Sequence, residues 1–354
     1  MHAFFCDRYI SENDTINYNY DYTDSTEHSN QPCSSQSSND LGAQLSVLYY
    51  LMFIFSLVGN SLVLVIIHRF ERLTTVTNIL LLNLVISSLI FISSLPFIAA
   101  YLKLKKWIFG RAMCKIMGSV YYLGLYTSVL FLTLLTFDRH LAVVYPLNAS
   151  HIRNRKYAFF SCAVVWIVSA VACIIPMITH NTVDSVGTTL CEQDYGNIPS
   201  AIGMKLKTTG FYLQLIMFLI FPVIVILYCY FRIAITVMSS KIVSKFKTVR
   251  LILVIVLLFF ISWAPFSILE LMEDGTTNCV QKQRIENGIV VSRNLAYFYF
   301  CISPFFYTFV GRKFQNYFRQ LLVKRFPALK KYISVNEVSR TNLSTKSTKR
   351  SLRE

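Results

Sequence analysis

Seven long apolar stretches constrain this chain more than any other feature. They run Gln44–Ile67, Asn78–Leu102, Met113–Val144, Tyr157–Ile178, Gly210–Met238, Val249–Leu271 and Gly288–Gly311. Crossing ~30 Å of hydrocarbon as a helix takes about 20 such residues, and a segment inside lipid must satisfy its own backbone hydrogen bonds. Seven in a row predict an all-α membrane protein, a seven-transmembrane helix bundle. They exclude the two or three soluble domains that 354 residues would otherwise suggest. Charged residues are only 15% of the chain, against roughly 25% in soluble proteins, and they cluster between the apolar runs. The net charge of +16 sits on no compact basic domain, so nucleic acid is not an expected partner. Pro96, Pro176, Pro222, Pro265 and Pro304 fall inside spans, where packed neighbours tolerate kinks.

Charge gives the orientation. Arg69 and Arg72 follow the first span, Arg153, Arg155 and Lys156 the third, and Lys241, Lys245, Lys247 and Arg250 the fifth. From Arg312 onward there are twelve Lys/Arg and two Glu. The positive-inside rule makes these segments cytoplasmic. Residues 1–40 carry seven Asp/Glu and one Arg, which places the amino terminus outside. The loop with Lys103, Lys105, Lys106 and Arg111 dissents and is outvoted. No signal peptide is apparent, since the first 40 residues lack a continuous apolar core. The expected organisation is a disordered acidic extracellular tail over 1–43, the bundle over 44–311, an amphipathic helix over 312–327 and a disordered basic Ser/Thr-rich tail over 328–354.

Nine cysteines divide by location. Cys162, Cys173, Cys229 and Cys301 lie within spans, where a thiol behaves as a small hydrophobe. Cys114 and Cys191 both face an oxidising compartment, and a bridge between them would pin the long loop over the bundle. Cys33 and Cys279 offer a second pair. Cys6 is left over and could compete with Cys33, so spacing does not decide the connectivity. The tail reads Asn-Tyr-Asn-Tyr-Asp-Tyr-Thr-Asp from Asn17 to Asp24. Such acidic composition suits disorder and steers a basic partner. Tyr18, Tyr20 and Tyr22 are candidate sulfation sites, and Asn13 begins a glycosylation acceptor.

Ionisable groups within spans default to function, and here they are few. Asp138 and Arg139 stand at the inner end of the third span, and Glu270 and Arg293 near the outer ends of the sixth and seventh. No acidic residue, Lys or His lies near a midplane, which disfavours an ion-coupled transporter. No His-Glu-x-x-His, paired-Asp or Ser/His/Asp constellation appears, so an enzyme is not expected and no cofactor or metal is called for.

The chain resembles the rhodopsin-like (class A) G-protein-coupled receptors. The resemblance rests on Gly59-Asn60, Leu84, Asp138-Arg139-His140, Trp166, Pro222 with Tyr230, Trp263-Ala264-Pro265 and Ser303-Pro304-Phe305-Phe306-Tyr307, in order across all seven spans. Within that family it is similar to the chemokine receptors, by Ser94-Leu95-Pro96, Trp107-Ile108-Phe109-Gly110 before Cys114-Lys115, the Cys33/Cys279 pair and the acidic tyrosine-rich tail. The runs Ser56–Leu64, Ser292–Ala296 and Phe309–Gly311 are most similar to the C-class branch, whose ligand is lymphotactin.

The resemblance implies a plasma-membrane receptor that binds a basic chemokine and activates a heterotrimeric G protein, expected to be of the inhibitory class, driving calcium signalling and chemotaxis. Arrestin, receptor kinases and membrane lipids are the further implied partners. Asp138 would hold Arg139 until activation, and Leu147 would insert into the G protein. Trp263 and Pro265 would form the hinge of the sixth span, with Tyr230, Pro304 and Tyr307 completing the switch. Tyr49, Trp107, Tyr121, Tyr122, Glu270 and Arg293 would line the ligand cavity. His140 stands where the family more often has Tyr, and Ile98 where it often has Trp. The sharpest departure is at midplane: Ser88 and Ser303 replace the Asp and Asn of the family's sodium site. That leaves no carboxylate for a hard cation, so sodium insensitivity is expected. The same loss keeps a non-signalling, scavenging receptor as the alternative.

Overall fold

The computed structural model describes residues 39–70, 75–185, 187–196, 198–239, 246–273, 279–310 and 312–326. The first span is helix α1 (Asn39–Phe70), 32 residues with His68 and Arg69 in the last turn, where cations oppose the helix dipole. The second is two helices, α2 (Val76–Ile92) and α3 (Leu95–Leu104). Thr75 caps α2 by accepting a hydrogen bond from the Asn78 amide, and Lys105 ends α3 in the left-handed region at φ 54°. The third span is α4 (Gly110–Val144), 35 residues long. A short helix, α5 (Pro146–Ile152), follows, with Pro146 in its first turn.

Asn154 caps α6 (Arg155–Ala172), and α7 (Ile174–Thr179) completes the fourth span. The chain then folds over the bundle end as an antiparallel hairpin, β1 (His180–Ser185) and β2 (Thr188–Gln193), registered so that Thr182 faces Cys191. Gly187 supplies the positive φ of its turn. The fifth span is α8 (Ser200–Leu215), a π-helical turn over Ile216–Ile220, and α9 (Phe221–Ser239). The last elements are α10 (Phe246–Glu273), α11 (Cys279–Val310) and α12 (Arg312–Arg325). The seven spans form the helical membrane bundle expected. Five of them are long and apolar enough to cross a bilayer on the described residues alone, and the apolar described part of α10 is Val256–Met272.

Two differences from the sequence expectation have separate physical causes. Helices extend past the apolar stretches: α1 begins at Asn39, α8 at Ser200 and α11 at Cys279. Hydropathy marks where lipid is, whereas helical hydrogen bonding continues into water. Second, the breaks fall before the prolines, because the ring crowds the carbonyl four residues earlier. The gap at Ser93–Ser94 precedes Pro96, that at Cys173 precedes Pro176, and the π turn precedes Pro222. Ser93 and Ser94 donate their hydroxyls to the Ile90 and Phe91 carbonyls, both at 2.7 Å, taking up acceptors at the break.

Helix α4 runs through the centre, packed on α2, α6, α9 and α10, while α1 closes the bundle against α2, α3 and α11. In lipid, helices cohere through close packing rather than through the hydrophobic effect. The core accordingly contains a lattice of rings. Phe91 stacks on Phe300 at 4.0 Å and meets Trp263 and Tyr297 edge-on, and Trp263 meets Phe218 at 5.1 Å. Polar pairs stitch this core across helices: Trp166 donates to Asn83 at 2.9 Å, and Ser56 donates to the Phe300 carbonyl at 2.9 Å.

Candidate functional site

At one end of the bundle the hairpin forms a lid. Cys191 of β2 is disulfide-bonded to Cys114 at the start of α4, so the loop is tied to the helix it overhangs. The Trp107 amide donates to the Thr189 carbonyl at 2.7 Å, Arg111 to Asn181 at 2.7 Å, and the Cys191 amide to the Tyr101 hydroxyl at 3.2 Å. Burial, then Asp194 nearby, raises the Glu192 carboxyl above its ordinary value of 4.5.

Beneath the lid the expected ligand residues divide. Tyr49, Tyr121 and Tyr297 are grouped around Arg293, with the Tyr297 ring 5.5 Å from Tyr49 and 6.0 Å from Tyr121. Tyr122 accepts a hydrogen bond from Gln193 of the lid at 3.3 Å and packs on Tyr121. Glu270 accepts from Gln214 at 2.9 Å, beside a small crevice lined by Phe211, Leu215, Phe218 and Ser267. Trp107 is placed elsewhere. It is 3% exposed, donates its indole N–H to the Gly110 carbonyl at 2.8 Å, and packs with Tyr101 and Phe109 under the hairpin. An indole in a short loop next to a glycine turn finds its partner there, so Trp107 holds the lid instead of lining the cavity.

Trp263 lies in the core, fully buried among Phe91, Phe218, Phe259, Phe266, Tyr297 and Phe300. Pro265 lies two residues on, inside an unbroken α10. At midplane Ser88 donates to the Leu84 carbonyl at 3.0 Å and Ser87 pairs with Ser128 at 3.0 Å. Tyr299 and Phe300 pack there edge-on. The donors are neutral and the space is occupied by rings.

At the opposite end Asp138 is completely buried. Arg139 reaches its Oδ2 through Nη2 at 3.0 Å. Arg153 grips both oxygens, Nε to Oδ1 at 2.6 Å and Nη2 to Oδ2 at 2.8 Å, and Thr77 donates to Oδ2 at 3.1 Å. Tyr230 lies beside Thr136 of α4, whose hydroxyl donates to the Leu132 carbonyl at 2.9 Å. Tyr230 thus lies against α4 while Arg139 is paired with its neighbouring aspartate. Leu147 projects from the first turn of α5 and is 84% exposed.

Tyr18, Tyr20, Tyr22, Asn13 and Cys33 lie outside the described residues, as do the side chains of Cys279, Pro304 and Tyr307. Sequence reasoning missed Thr77, Gln193, Gln214 and the site role of Arg153. For Arg153 a signal existed: Pro146 and Asn154 bracket a short helix that returns the chain to the third span.

A disulfide-tied hairpin over buried aromatic rings at one end and a buried Asp138–Arg139 ion pair at the other mark this bundle of membrane-spanning helices as a seven-helix membrane receptor. The 7 transmembrane receptor (rhodopsin family) pattern matches residues 59–307, and the chain belongs to that family. It is 33% identical to C-C chemokine receptor type 3 of Cavia porcellus over 325 residues, 90% of this chain and 88% of the relative. Against C-C chemokine receptor type 1 of Homo sapiens the identity is 33% over 344 residues, 93% of each chain. The type-1 angiotensin II receptor of Bos taurus is 32% identical over 326 residues, 87% of this chain and 86% of the relative. Receptors of this family are not enzymes, and none of the described residues forms a cluster able to hold a metal.

Proposed function

We propose that the protein is a plasma-membrane chemokine receptor, with its amino terminus outside and its carboxyl terminus in the cytoplasm. A basic chemokine docks on the acidic tail, places its amino terminus between Glu270 and the Tyr49–Tyr121–Arg293 group, and favours an outward swing of α10. That swing admits a heterotrimeric G protein of the inhibitory class, with Arg139 and Leu147 in contact, and leads to calcium release and chemotaxis. Arrestin and receptor kinases act afterwards on the Ser/Thr-rich tail. The single observation that carries this reading is near-full-length similarity to C-C chemokine receptors in a chain with a closed Asp138–Arg139 pair. The runs quoted above favour a C-class ligand. The angiotensin receptor is as similar in overall identity, so the acidic tail and the extra cysteine pair make the distinction.

One observation favours a second reading, a scavenging receptor that does not signal. The midplane around Ser88 and Ser303 lacks the carboxylate usual in the family. Calcium and cyclic-nucleotide responses to a chemokine panel, measured alongside ligand uptake, separate the two. The first reading expects a response to at least one basic chemokine. Uptake with neither signal establishes the second.

A further inference from the structure

We propose that Arg153 is the permanent counter-ion of Asp138, which lets Arg139 leave that carboxylate without stranding a buried charge. The inference rests on the receptor reading above and concerns how its switch is set. Of the two arginines on Asp138, Arg153 has the better geometry. It is bidentate at 2.6 and 2.8 Å, whereas Arg139 makes one contact at 3.0 Å. Planar two-pronged pairing of this kind is the stronger arrangement. A carboxylate that is 0% exposed cannot be left alone, because removing the sole partner of a buried charge is far costlier than removing one of two. With Arg153 and Thr77 retained, the departure of Arg139 costs a single hydrogen bond.

Arg153 also ends the helix that bears Leu147. Its amide donates to the Ala149 carbonyl at 2.9 Å, and α5 is only seven residues long, about 10 Å at 1.5 Å per residue. At the other end of α5, Tyr145 accepts a hydrogen bond from Arg232 of α9 at 3.3 Å, and His140 packs on Tyr145 and Tyr228. A partner seated on Leu147 therefore loads a short rigid rod whose far end holds Asp138. Docking and release of Arg139 become one event.

The test uses the full-length receptor in nanodiscs, with spin labels at Arg155→Cys and Lys247→Cys reporting the outward population of α10 without any ligand or G protein. Arg153→Ala should lower that population roughly tenfold, since Arg139 becomes the only cation on Asp138. Arg153→Lys, which keeps the charge but loses the fork, should fall between. In an Asp138→Asn background, where no counter-ion is needed, Arg153→Ala should change nothing further. An outward population unchanged or increased by Arg153→Ala overturns the proposal, as does an equal loss in the Asp138→Asn background. Because the readout needs no coupling, a receptor that fails to signal would refute the functional reading and leave this test intact.

Discussion

At Gly124 the chain passes α2 so closely that an added Cβ would lie 2.6 Å from the Phe91 amide nitrogen and 2.7 Å from its Cα. Backbone cannot yield as a side-chain tip can, so Gly124→Ala should push α4 from α2 and cost on the order of 1–3 kcal/mol. Gly203 is the control: its nearest neighbour, the Tyr195 Cβ, would be 3.5 Å away. There the same substitution should be neutral or stabilise by about 0.4–1 kcal/mol, through the unfolded chain. Thermal melts of the two variants decide it, and equal shifts would contradict the packing argument. Glu192 carries the second residue-scale expectation. Burial, with Asp194 next in weight, raises its pKa, so the folded lid binds the proton more tightly than the unfolded chain. The associated stability is present below the ordinary value of 4.5 and is lost as pH rises through the raised one. Glu192→Gln should flatten the pH dependence of melting in that window; a slope identical to the parent would show that Glu192 does not control it.

Among the elements, the hairpin lid is held by one covalent and several polar ties. Cys114→Ser removes the bridge to Cys191 but leaves the Trp107–Thr189 and Arg111–Asn181 bonds. Loss of a native disulfide typically costs about 2–5 kcal/mol. Here the effect should appear as faster protease cleavage within residues 180–193, with the bundle still folded by circular dichroism. Helix α5 behaves differently because it presents Leu147 to solvent. An apolar side chain 84% exposed contributes little to the fold. Leu147→Ala should therefore leave the melting temperature within about 1 °C while reducing G-protein nucleotide exchange at least tenfold, the size of one buried contact of ~1.4 kcal/mol. A parallel loss of stability would assign Leu147 to the fold instead.

For the whole molecule, the midplane joins the two ends without a carboxylate. Ser88, Ser87 and Ser128 satisfy themselves within and between α2 and α4, and Phe300 stacks on Phe91 where the helices converge. A hard cation seeks anionic oxygen, so sodium should shift neither melting nor chemokine binding relative to choline at equal ionic strength. A sodium-specific shift in the parent chain would sink this expectation. Rings fill this part of the bundle: Tyr297, Phe91, Trp263, Phe218 and Phe259 form an unbroken series of contacts through the core. In a packed interior such a series transmits displacement, because rings have few alternative positions.

The seven spans, the family motifs and the positions of Asp138, Trp263 and Glu270 were legible along the chain, because lipid thickness and helix period are local constraints written in apolar runs. Helix ends were not, since polar turns beyond the lipid stay helical, and the breaks before Pro96, Pro176 and Pro222 required knowing which carbonyl each ring crowds. Trp107 carried a motif, yet only the path of the loop decided that it faces the hairpin. Arg153 read as a loop charge giving orientation. Its role depends on α5 returning it to a carboxylate fifteen residues earlier; Pro146 and Asn154 bracket that return in the sequence, but only the fold brings the two charges into contact. The sequence determined that the chain is a seven-helix membrane receptor; only the tertiary structure decided which cations share the buried Asp138 carboxylate, because pairing depends on where side chains meet in space.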